Sequence, residues 1–406
     1  MQFSLQHWIR ITLSNLLLVA FMGVILRYKI AFALPFVDQK HLQHGHSHFA
    51  FAGWITQALM VLLIAYLAGK APANTTKKYR WILLANLITA YGMLVAFVIE
   101  GYGMFSLILS TILILVSYIF GISYWKDLNR LASKEVSHSW FKAAVLFNAV
   151  SSVGTFALAF MMITGAVHQN WYLAAEYFYL HFQYNGWFFF ACMGLVTSKL
   201  LHNNISQRSL KQVYLFFATA MVPAYFLSVL WMNFSIWIYI IIVIAAFAQV
   251  AGWLKLLLVF KKNIPFLKQA FSPAARWLTG LSAIALSIKL LLQLGSVIPV
   301  LSDLSYGFRP IIIGYLHLVL LGVITLFILG FMVAEKNIRI SKMAIAGIIL
   351  FVSGIIINEV FLMMQGVMAM NYNTVPFMNE LLFIAALIML TGLLIINISQ
   401  QIKNAK

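Results

Sequence analysis

The chain has 406 residues, 63% hydrophobic and 9% charged, with 27 Lys and Arg against 9 Asp and Glu for a formal net charge of +18. A mean hydropathy of +0.94 lies far outside the range of soluble globular domains and marks an integral membrane protein. The single cysteine, Cys192, excludes intrachain disulfides and cysteine-built iron–sulfur or zinc sites.

Apolar runs of about 20 residues, enough helix to cross roughly 30 Å of hydrocarbon, recur along the whole length. Twelve spans are predicted, at 9–31, 46–69, 80–99, 103–124, 141–164, 172–198, 211–231, 234–258, 276–297, 311–334, 342–364 and 378–399. A closed barrel needs short alternating strands, which these runs are not. The first run is too long for the apolar core of a signal peptide, has no clear cleavage pattern before Arg27, and is kept as a span. The expected fold is all-α integral membrane, a single transmembrane domain multi-pass in a bacterial inner membrane.

The basic residues sort by loop. Connections after the second, fourth, sixth, eighth and tenth spans carry Lys and Arg, whereas those after the third, fifth, seventh and eleventh carry none. That is the positive-inside pattern, and it predicts cytoplasmic N- and C-termini. It also accounts for the net charge without nucleic acid as a partner. Arg27, Lys29 and Lys40 before the second span and Arg309 before the tenth fall on the outer side, where snorkelling to the interface is the plain account.

Histidines are distributed unevenly. His7, His138, His168 and His202 lie at span ends or in loops, but His41, His44, His46 and His48 open the second span, and the sixth and tenth hold His181 and His317. His48-FAFA-Gly53, His181-FQYN-Gly186 and His317-LVLL-Gly322 each read histidine, four residues, glycine. The intervals, 181 − 48 = 133 and 317 − 181 = 136, are each near a third of the chain and contain four spans. Three four-helix pseudo-repeats follow, roughly 1–138, 139–270 and 271–406.

A histidine in hydrocarbon is costly without a partner. Water or a backbone carbonyl satisfies one such ring, but three at matched depth call for one explanation. Neutral imidazole ligates transition metals and heme iron, and two imidazoles from facing helices make a six-coordinate heme. Glycine five residues further in clears room for a flat macrocycle or a neighbouring helix.

With twelve spans, cytoplasmic ends, three four-helix arcs and histidines at the outer ends of the second, sixth and tenth helices, the whole chain resembles subunit I of the heme-copper oxidase superfamily, nitric oxide reductases included. The resemblance implies a low-spin b-type heme between His317 and a second-span histidine, His48 or His44 one turn earlier. It also puts His181 at the place of a copper ligand. The chain departs from the family at two points. Tyr315-Leu-His317 stands where the family has a histidine pair, and the seventh span has no histidine for copper. A rearranged metal site would draw on His41, His44 or His46 with His181.

Heme propionates on the outer side would favour Arg309, Arg27, Lys29 and Lys40. Lys289 and Glu359, buried charges of opposite sign, are expected to pair. Met363, Met364, Met368 and Met370 are soft enough for copper(I), with packing the commoner role. No nucleotide loop or hydrolase motif is present. Three readings follow: a membrane cytochrome in electron transfer or small-gas sensing, an active oxidase or nitric oxide reductase subunit with an altered copper site, and a transporter of a metal ion or small solute. The first two imply other respiratory subunits and a cytochrome or quinol electron donor.

Overall fold

In a computed structural model, residues 4–166, 168–202, 205–306 and 309–401 are described; Lys403 and Lys406 of the tail lie outside them. The described residues are 87% helical, without a strand. Eleven helices are long and apolar enough to cross a membrane. In chain order they are α1 (Leu5–Phe32), α2 (Gln39–Ala68), α3 (Asn74–Glu100), α4 (Met104–Asn129), α5 (Val136–Thr164), α7 (Gln207–Met232), α8 (Ile236–Lys262), α9 (Pro273–Gly295), α10 (Arg309–Ala334), α11 (Lys342–Met370) and α12 (Met378–Gln401). Between α5 and α7 lies α6, a helical segment at 169–202 that carries His181, Gln183, Asn185 and Lys199 and is therefore less apolar. Large apolar side chains such as Ile99, Ile163 and Trp237 stand on the outside of the helices, an arrangement that suits lipid and not water.

The chain gathers into two compact units, one drawn from Met1–Phe120, Arg309–His317 and Ile328–Lys406, the other from Gly121–Phe308 and Leu318–Phe327. Without a hydrophobic force between helices in lipid, small residues that permit close backbone approach hold them together. In the first unit, a Cβ on Gly392 of α12 would collide with the backbone of Phe351 of α11, and one on Gly354 with Met389. Asn397 of α12 reaches the carbonyl of Leu13 on α1 at 3.2 Å. In the second unit, α5 and α6 meet at Gly154, where a Cβ would run into the carbonyl of Ala175. Gln183 of α6 donates to Asn148 Oδ1 at 2.9 Å and Ser151 Oγ at 2.8 Å, so polar side chains within the bundle satisfy one another.

Among the described residues, three turns are π-helical: Ala50–Thr56 in α2, Phe182–Phe188 in α6 and Leu318–Thr325 in α10. Each begins within two residues after His48, His181 or His317 and contains the glycine of that phrase. A widened turn slips the backbone register, frees carbonyls and is favoured at functional positions. The freed groups find partners. Asn15 donates to the Gly53 carbonyl at 2.5 Å, Asn86 to Ala52 at 3.2 Å and Ser282 to Val323 at 2.7 Å.

Candidate functional site

The N-terminal part of α2 has two faces, set by the 100° advance per residue of an α-helix. Asp38 caps its start, the carboxylate accepting from the His41 amide at 2.9 Å. One face carries His41, His44 and His48 and packs on α3 and the turn after it. His48 stacks on Phe97 at 4.3 Å between ring centroids, with Nε2 3.3 Å from the Tyr102 hydroxyl. His44 meets Tyr102 edge-on at 4.5 Å. His41 lies over Gly101, whose φ of 63° and lack of a Cβ let the chain turn beneath the imidazole.

The opposite face carries Gln43 and His46 and turns to α1 and α10. Arg309, which opens α10, donates to Gln43 Oε1 at 2.7 Å. His46 lies against Gly23 of α1 and close enough to His317 and Arg27 for their charges to act on it. The face of His44 and His48 meets the aromatic rings of Phe97 and Tyr102, and His46 stands on the other face, against Gly23 of α1.

Of the rings of His46 and His317, that of His317 is the anchored one. His317 Nδ1 lies 2.8 Å from the Ile313 carbonyl, which only accepts, so Nδ1 carries the proton and Nε2 a lone pair. The buried Nδ1 of His46 has no hydrogen-bond partner. A histidine that holds one N–H on a backbone carbonyl and offers the other nitrogen is arranged as metal-ligating histidines are. An unpartnered buried nitrogen is also costly unless something binds it. Each ring thus offers a neutral nitrogen of the kind that heme iron takes.

Arg27 shares this region, and Glu359 of α11, hydrogen-bonded by Asn358 at 3.2 Å, feels its charge. In the second unit, Lys289 Nζ donates to Gln293 Oε1 at 2.6 Å, one turn along α9. Tyr315, two residues before His317, is half-buried and about 200° round the helix from it.

His181 is closed. Nε2 donates to the Met221 carbonyl at 2.9 Å and Nδ1 accepts from Asn185 at 3.2 Å, so neither nitrogen is left for a metal. The carbonyl is available because α7 breaks at this level from α-helix into the 3-10 segment Pro223–Met232. Among the described residues, no three His, Cys, Asp or Glu side chains converge as a metal cage. Gly53 and Gly322 have structural uses too. A Cβ on Gly53 would strike the ring of Phe49, and one on Gly322 would come within 3.1 Å of Ala285 on α9.

The carboxamides that organise the interior, Asn15, Gln57, Asn86, Gln249 and Gln293, are buried in apolar spans, and that placement is the sequence signal that could have singled them out. No family model and no curated protein matches the chain.

Proposed function

We propose that this protein is a membrane cytochrome that holds a b-type heme between His46 of α2 and His317 of α10. The observation that carries the reading is the buried, unpartnered Nδ1 of His46 on the face of α2 that turns to α10, where His317 offers an Nε2 lone pair. When bound there, heme supplies one-electron exchange between the ferrous and ferric states. The chain's own part is to orient the His317 imidazole through the carbonyl of Ile313 and to leave a His46 nitrogen for a ligand. Arg27 and Arg309 bring positive charge to the same region for the propionates.

The wider plan that we propose is that of the heme-copper oxidase catalytic subunit, with twelve spans, three four-helix repeats and both ends cytoplasmic in a bacterial inner membrane. The three π turns after His48, His181 and His317 support the repeat, since one sequence phrase takes one unusual local form three times. A copper centre has less support, because His181 spends both nitrogens on hydrogen bonds and α7 has no histidine. Electron transfer or gas sensing at a single heme, served by a cytochrome or quinol donor, is therefore preferred to oxygen or nitric oxide reduction.

Absorption spectroscopy of the purified protein tests this. A bis-imidazole heme gives a sharp Soret band with α and β bands on reduction, and His317→Ala abolishes them. Retention of the full low-spin spectrum in His317→Ala sinks the ligand assignment. Wild-type protein that takes up no heme sinks the cytochrome and favours the solute transporter.

A further inference from the structure

Within the second unit, α6, α7, α8, α9 and the π turn of α10 line a cavity of about 20 Å³, room for a single water-sized guest. Its walls are mainly apolar, with Lys289, Gln249, Asn185 and Tyr184 as the polar lining. Lys289, Gln249 and Asn185 are 5%, 4% and 8% exposed, so bulk water does not solvate them.

The hydrogen bonds here run in one direction. Lys289 Nζ donates to Gln293 Oε1 at 2.6 Å, and Gln293 Nε2 donates on to Gln249 Oε1 at 2.9 Å. Gln249 therefore has its oxygen engaged and its NH2 to spare, and Lys289 keeps two of its three N–H groups. Asn185 gives one N–H to His181 Nδ1. The unused capacity around the cavity is thus weighted toward donors, with a cation among them. Among the described residues of this unit, no carboxylate partner of Lys289 is found. A buried ammonium without a counter-charge is among the costliest arrangements in a protein interior.

We propose that this cavity binds one small monovalent anion of halide size, the counter-ion of Lys289, held by Lys289 Nζ and the side-chain amide of Gln249. The one-water volume sets selectivity, since chloride and bromide fit whereas gluconate and sulfate do not. The site is independent of the heme reading, because none of its residues belongs to that cluster.

The test uses the full chain in detergent, prepared in gluconate and titrated with sodium chloride or bromide at constant ionic strength. Binding to the folded state raises the unfolding midpoint with halide concentration. The wild type should show that rise, Gln249→Leu should need about tenfold more halide, the loss of one hydrogen bond, and Lys289→Met should show none. Crystals grown in bromide should carry an anomalous peak within hydrogen-bonding distance of Lys289 Nζ. This arm stands even if a variant fails to fold. Equal midpoints in chloride and gluconate, an undiminished rise in Lys289→Met, or a bromide crystal without that peak each overturn the proposal and leave the cavity to water beside a neutral amine.

Discussion

The side-chain amide of Asn15 on α1 donates to the carbonyl of Gly53 on α2 at 2.5 Å, while its oxygen accepts from the Tyr91 hydroxyl of α3 at 2.8 Å. One carboxamide thus ties three helices at the π turn, where a backbone carbonyl would otherwise face lipid or an apolar core. Asn15→Leu strands that carbonyl and should destabilise the protein by about 1–3 kcal/mol, the cost of a buried polar group without a partner. Tyr91→Phe leaves the Asn15–Gly53 bond intact and should cost about 0.5–1.5 kcal/mol, the worth of one ordinary hydrogen bond. Unfolding of both variants by SDS titration measures the difference. Equal losses would mean that the Gly53 carbonyl has another partner.

The three glycines of the repeated phrase should not respond alike to alanine. At Gly186 a Cβ would sit 2.6 Å from Phe147 Cβ, an atom fixed to its backbone, and relief requires α5 and α6 to separate. Overpacking of this kind costs about 1–3 kcal/mol. At Gly322 the nearest atom, Ala285 Cβ, is 3.1 Å away, and alanine regains up to about 1 kcal/mol of helix propensity over glycine. Gly186→Ala should therefore lower the unfolding midpoint and Gly322→Ala should leave it nearly unchanged. The reverse order would show that the α9–α10 contact is the tighter one.

Much of this was legible in the sequence because hydrocarbon is an unforgiving solvent. Long apolar runs mark the helices, and eleven of the twelve expected spans return as membrane-length apolar helices. The phrase of histidine, four residues and glycine marks the three π turns. Local periodicity also separates the faces of α2, since positions 41, 44 and 48 cluster on one side and 43 and 46 on the other. Which face meets α10 depends on neighbours distant in sequence, and Phe97 and Tyr102 claim the histidine-rich side. His181 escapes a sequence reading for a related reason, because its acceptor is the backbone carbonyl of Met221, exposed by the break before Pro223. Lys289 finds a neutral partner at i+4, a spacing visible in the sequence.

The cap of α2 predicts a pH response outside the membrane. The hydrogen bond from the His41 amide holds the Asp38 carboxyl below its ordinary range, so the folded state favours the ionised form more than the unfolded chain does. The stabilisation is fully present above the unfolded carboxylate value of about 3.9 and is lost as pH falls through the lowered folded value. Hydrogen exchange of the first turn of α2, corrected for intrinsic rates, should speed up only below about pH 4. Asp38→Ala should fray that turn at every pH, whereas Asp38→Asn keeps an acceptor and should flatten the response. Unchanged protection in Asp38→Ala would show that the turn is held by its packing alone.

The two faces of α2 give the sharpest separation of ligand from scaffold. His46 faces His317 and Arg27 with an unpartnered Nδ1, whereas His48 is stacked on Phe97 and bonded to Tyr102. Alanine at position 46 should remove the low-spin heme spectrum, since a single remaining imidazole cannot make the six-coordinate state. Alanine at 48 should preserve the spectrum and lower stability by about 1–2 kcal/mol through loss of a stacked ring contact and a hydrogen bond. Reduced-minus-oxidised spectra read the first quantity and detergent unfolding the second. A variant at 48 that loses heme while the variant at 46 retains it would require α2 to rotate by about half a turn relative to α10, and would return the ligand role to the face of His44 and His48.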